Sequence, residues 1–136
     1  MKRRVLIAYQ ILTGLSDTST GLLLIAAPGL TLRLMRLHAA SDTLPFLSYV
    51  GVFVLSVGLA CLYGGWIALD RGPAEKLEVV WLLTAITRAL VTVFVVANVA
   101  LGSLEPGWTT VAFTDGVFTM IQIFGLAKGW LRSVRY

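Results

Sequence analysis

Asp17, Arg88 and Asp115 each stand inside a long apolar stretch of a 136-residue chain. A charge facing lipid at mid-depth costs several kcal/mol, so each should turn inward and find a partner. An arginine shared by two carboxylates leaves one negative charge over, and a low-dielectric site avoids that charge by keeping one carboxyl protonated. The neighbouring residues repeat the pattern. Gln10, Thr13, Asp17 and Thr20 follow one helical stripe, Thr84, Arg88 and Thr92 a second, and Asp115, Thr119 and Gln122 a third. Intervals of three, four and seven put each set on a single helix face. Two readings stay open. The charges lock helices together, or they form a site for a proton, an ion, or a small polar or lipid-like ligand.

Other chemistries lack their residues. Cys61 is the only cysteine, which excludes an internal disulfide and a multi-thiolate metal site, and it reads as a small buried apolar residue. His38 is the only histidine and lies outside the apolar stretches, so it reads as a solvated surface residue, and no haem ligand is available within them. Neither a phosphate-binding glycine pattern nor a nucleophile paired with a base occurs. No cofactor and no catalytic residue is expected. Trp66, Trp108 and Trp130, with Trp81 and Tyr63, lie near segment ends and read as an interfacial aromatic belt.

The elements that must position the charges follow from composition. Apolar residues make up 57% of the chain and charged residues 13%, about half the usual charged share. A single soluble domain of this size could not bury so much apolar surface, whereas a bilayer accommodates it. Four runs stand out: residues 5–27, 47–69, 79–101 and 108–130, each of 23 residues. At about 1.5 Å per residue each covers about 34 Å, enough for a hydrocarbon core of about 30 Å. Pro28-Gly29, Asp70-Arg71-Gly72-Pro73 and Glu105-Pro106-Gly107 break the runs. The predicted fold is all-α, a four-helix transmembrane bundle forming one domain. A short interfacial helix is predicted between the first and second spans, with Leu30, Leu34 and Leu37 on one face and Arg33 and Arg36 on another. From these boundaries Asp17 lies about 18 Å, Arg88 about 14 Å and Asp115 about 22 Å from the inner edge, a spread that the length of an arginine side chain partly closes.

Orientation follows the basic residues. Lys2, Arg3, Arg4, Arg71, Lys76, Lys128, Arg132 and Arg135 gather on one side, against Arg33 and Arg36 on the other. This predicts cytoplasmic N- and C-termini in a bacterial inner membrane. The net charge of +4 and pI near 9.6 then reflect anchors facing anionic lipid rather than a nucleic-acid surface. The basic start followed by an apolar run imitates a secretory signal, but Asp17 and Pro28 oppose cleavage, so an uncleaved first span is expected. Ser56, Ala60 and Gly64 on the second span, with Gly125 and Gly129 on the fourth, are small residues suited to close helix packing.

The order of features is a first span ending in Ala26-Ala27-Pro28-Gly29-Leu30, a short amphipathic piece, a glycine-bearing second span, Arg88 in the third and an acid in the fourth. This layout resembles the DoxX-like and related small four-span bacterial membrane families. The resemblance implies a link to quinone- or thiol-linked electron transfer, from which the solitary Cys61 departs, and it carries over no catalytic residue. The leading expectation is a non-catalytic accessory or assembly subunit in contact with lipid and with other membrane subunits or itself. A small carrier or channel-like protein using the Asp/Arg/Asp set is the alternative. A quinone-linked membrane oxidoreductase is the third.

Overall fold

The computed structural model describes residues 3–132. Lys2 and Arg135 of the basic count lie outside the described residues. Among the described residues there are five α-helices and no strand: α1 (Arg3–Ala26), α2 (Pro28–Leu34), α3 (Leu44–Leu69), α4 (Ala74–Ala100) and α5 (Thr109–Ala127). Short 3-10 turns at Ser41–Thr43 and Pro106–Trp108 lead into α3 and α5. All four prolines stand where a helix begins: Pro28 and Pro45 in the first turns of α2 and α3, Pro73 capping α4, and Pro106 opening the turn before α5. There the missing N–H costs nothing and the fixed φ starts the helix.

Three helical segments, Ser41–Leu69, Ala74–Ala100 and Pro106–Ala127, are long and apolar enough to cross a membrane. At 24 residues α1 matches them in length. Its apolar content is lower because Gln10, Thr13 and the run Ser16-Asp17-Thr18-Ser19-Thr20 interrupt it.

Three helix boundaries differ by three or more residues from the sequence expectation, among them the start of α3 at Leu44. Helix α4 starts at Ala74, five residues before Val79, because Pro73 caps it and polar Glu75, Lys76 and Glu78 extend its first turns. Helix α5 stops at Ala127, because Gly129 adopts a left-handed φ of 61° and the Trp130 N–H folds back onto the Gly125 carbonyl at 2.9 Å. Gly129 is thus a helix terminator rather than a packing residue.

The helices associate as two close antiparallel pairs, α1 with α3 and α4 with α5, joined by a looser contact of α3 with α4. The α1/α3 seam depends on glycine. A Cβ on Gly21 would sit 2.5 Å from the Leu55 nitrogen, and one on Gly58 would strike the Thr18 backbone. Gly51, Gly58 and Gly65 recur every seven residues along this seam, facing the Gly14 and Gly21 side of α1. Of the expected Ser56, Ala60 and Gly64 set, Gly64 alone is buried at this seam. Ser56 is exposed, and Gly64 packs against Gln10. A seven-residue repeat keeps a contact on one face over several turns, and small residues there bring the backbones together.

The outward faces are apolar on every long helix: Leu12 and Leu22 on α1, Phe53 and Leu59 on α3, Leu90 and Phe94 on α4, Phe113 and Met120 on α5 are all exposed. At the end where α1 begins, Leu6, Ile67, Ala68, Leu77, Trp81 and Leu131 form a packed core. Trp81 is wholly buried, which corrects its assignment to the interfacial belt. Counted from Ala74 it lies about 10 Å along the helix, too deep for a belt residue. Tyr63 and Trp66, stacked 5.8 Å apart, are exposed as expected of a belt.

Polar contacts tie the two ends. Arg3 donates to the Ala68 and Leu69 carbonyls at 3.0 and 2.7 Å, satisfying the open C-terminus of α3 and its negative dipole end. Arg132 grips Glu78 through two hydrogen bonds of 2.7 and 3.0 Å. At the opposite end, exposed His38 lies 3.6 Å from Glu105. The interfacial helix is shorter than expected. Left-handed Arg36, with φ 57°, turns the chain after α2, so Leu30 and Leu34 face outward while Leu37 is buried beside Gly107.

Candidate functional site

The backbone of α1 does not come close to α4 or α5 among the described residues, so large side chains fill the space between the two pairs. Tyr9 from α1 meets Trp81 at 5.4 Å and Phe118 at 5.9 Å between ring centroids. Above these rings, Arg88 reaches across. Its Nη1 donates to Asp115 Oδ1 at 2.5 Å, and its Nη2 donates to Asp17 Oδ2. The guanidinium carbon stands 4.9 Å from the Phe118 ring centre. One side chain of α4 therefore binds α1 and α5 together.

The three charges share a level more closely than the sequence boundaries suggest. Asp17 is 14 residues from the start of α1, Arg88 is 14 from the start of α4, and Asp115 is 12 from the end of α5. These distances correspond to about 21, 21 and 18 Å. The longer first turns of α4 and the earlier end of α5 remove most of the anticipated offset. Arg88 is 3% exposed, whereas each carboxylate keeps 18% of its side-chain surface accessible. The cation is the shielded member of the layer, and water-sized molecules can touch the acids.

The remaining anticipated residues line the same interior on the side of the basic face. Gln122 Nε2 donates to Thr84 Oγ1 at 2.8 Å, linking α5 to α4. Thr84 and Thr13 donate to carbonyls of their own helices, Val80 and Tyr9, both at 2.8 Å. Gln10 and Thr119 are buried, yet the amide atoms of Gln10 and the hydroxyl of Thr119 have no protein partner among the described residues. Thr92 donates to the Arg88 carbonyl at 2.8 Å, and Thr20 is half-buried.

No family model, curated protein or solved structure matches this chain. The likeness to DoxX-like proteins rests on the order of features in the sequence alone.

Sequence reasoning overlooked Tyr9 and Phe118 and placed Trp81 at the interface, whereas Cys61 is fully buried, as expected. A signal for two of the three rings was present. Trp81 lies seven residues before Arg88 and Phe118 three after Asp115, the helical intervals that picked out the polar stripes. Chemically, the layer places one fixed cation between two carboxylates, each held through a single oxygen. Removing the arginine from such a set leaves two uncompensated carboxylates, at a cost of about 3–5 kcal/mol, whereas removing one acid leaves a matched pair. Two surface depressions, one along Ala112, Gly116 and Met120 and one among His38, Phe46 and Trp108, are lined by none of the three charges.

Proposed function

We propose that the chain is a small integral membrane protein that crosses the bilayer four times, with α1 as the fourth crossing. In this reading both ends face the cytoplasm of a bacterial inner membrane, and the protein serves as a non-catalytic accessory or assembly subunit of a larger membrane complex. One contrast carries the reading. Every long helix turns large apolar side chains outward, while Asp17, Arg88 and Asp115 satisfy one another inside. Lipid is the solvent that makes such an inversion stable.

The same contrast admits α1 as a crossing despite its polar residues, because Gln10, Thr13 and Asp17 face the interior and Leu12, Leu15 and Leu22 face out. Among the described residues Arg3, Arg4, Arg71, Lys76, Lys128 and Arg132 collect at one end and Arg33 and Arg36 at the other, the asymmetry that sets a cytoplasmic face. The connections between the long helices are short, so the described chain is spent on the spans and leaves no separate catalytic domain. Extraction from native membranes in a mild detergent tests the role. The protein is expected to elute with other membrane subunits in fixed stoichiometry, and a solitary particle at native expression level contradicts the subunit reading.

A further inference from the structure

The fully buried polar residues of α1, α4 and α5 around the charge layer all lie on its basic-face side. Counting toward the basic face, Thr13 and Gln10 lie four and seven residues from Asp17, Thr84 and Trp81 four and seven from Arg88, and Thr119 and Gln122 four and seven from Asp115. All six are buried. In the opposite direction the buried residues of α1, α4 and α5 are the apolar Gly21, Leu24, Val95 and Ala112, and the hydroxyls there include those of half-buried Thr18, Thr20 and Thr92 and of buried Thr31 of α2, which donates to the Ala27 carbonyl of its own helix start. The polar half ends at the core of Leu6, Ile67, Leu77 and Leu131 beneath the basic face.

Within that half, hydrogen-bonding capacity exceeds what the protein uses. Both amide atoms of Gln10, Thr119 Oγ1, Gln122 Oε1, Trp81 Nε1 and Arg88 Nε are buried without a protein partner among the described residues. An unpaired buried polar atom costs about 1–3 kcal/mol, and buried water is the usual partner of such atoms. The groups facing the charge layer are Tyr9 and Asp17 from α1, Cys61 from α3, Arg88 from α4 and Asp115 from α5. They comprise two acids and one permanent cation, so full ionisation leaves a net negative charge about 20 Å from the start of α1.

Resting on the reading that these helices cross a bilayer, we infer that the charge layer is a proton-binding site, hydrated by water held along the threonine and glutamine positions on its basic-face side. Asp17 and Asp115 share one dissociable proton beside Arg88. On loading, one carboxylate oxygen accepts a proton from hydronium, an O–H bond forms and a water molecule remains. Release is the reverse, and nothing is oxidised or reduced. On the other side of the acids Leu24, Val95 and Ala112 form an apolar layer.

Infrared spectroscopy of the full chain in lipid nanodiscs, titrated with hydronium from mildly acidic to mildly alkaline pH, tests this. The wild-type protein is expected to show the carbonyl stretch of a protonated carboxyl that fades as pH rises, and carbon-13 labelling of aspartate is expected to shift it. Asp17→Asn and Asp115→Asn should each lose the band, because the remaining acid is then matched one-to-one by Arg88. Gln10→Leu should slow the response of the band to a pH jump. Absence of a titrating band in the wild type, insensitivity to aspartate labelling, or survival of the band in both asparagine variants overturns the site. An unchanged response in Gln10→Leu overturns the hydrating water positions. The wild-type labelling result stands even where a variant fails to fold. Stable incorporation into nanodiscs with no band defeats the proton site while leaving the membrane reading intact.

Discussion

Arg88 is the residue on which the interior turns, because among the described residues it alone joins α4 to both α1 and α5 through charge. Its truncation strands two carboxylates, whereas neutralising one acid leaves a matched pair. Arg88→Ala is therefore expected to lower stability by about 3–5 kcal/mol, and Asp17→Asn by less, measured as thermal unfolding in detergent by circular dichroism. Combining Arg88→Met with Asp17→Asn and Asp115→Asn should recover much of the loss. A triple variant as unstable as Arg88→Ala would show that charge balance is not what Arg88 supplies. This set was legible in the sequence because ionisable residues inside a span must pair, and helical spacing showed which face each used. Trp81 was not legible as an interior residue. Its place depends on where α4 begins, and polar Glu75, Lys76 and Glu78 disguise that start as a loop.

At the scale of elements, the α1/α3 pair is closed by glycines and the space beside it by aromatic rings. Adding one methyl at Gly21 or Gly58 pushes against backbone, which cannot yield as the end of a side chain can. Gly21→Ala and Gly58→Ala are each expected to destabilise by about 1–3 kcal/mol through overpacking. Gly116→Ala is expected to be tolerated, since its nearest neighbour is the Thr92 methyl at 3.4 Å. Thermal unfolding of the three variants side by side checks this, and equal loss at Gly116 would contradict it. The helices themselves were readable from apolar run length and from prolines at their starts. The seam was not, because four-residue spacing of small residues was the pattern sought and the chain uses seven. The turn after α2 depends on a left-handed Arg36, a conformation that an arginine side chain does not advertise.

For the molecule as a whole, an apolar exterior, a charged interior layer and a basic end fit the one arrangement across a bilayer that we propose. Composition and run length made the membrane environment legible. The standing of α1 was harder to read, because the residues that serve the interior also lower its apolar content. The account's central claim is that α1 crosses with the other three long helices. Right-side-out vesicles carrying single-cysteine variants in a Cys61→Ala background, treated with a membrane-impermeant maleimide, test it most directly. Arg4→Cys and Arg71→Cys should react only after the vesicles are opened, and His38→Cys should react while they are sealed. Reaction of Arg4→Cys and His38→Cys from the same side would mean that α1 does not cross, and would contradict the account.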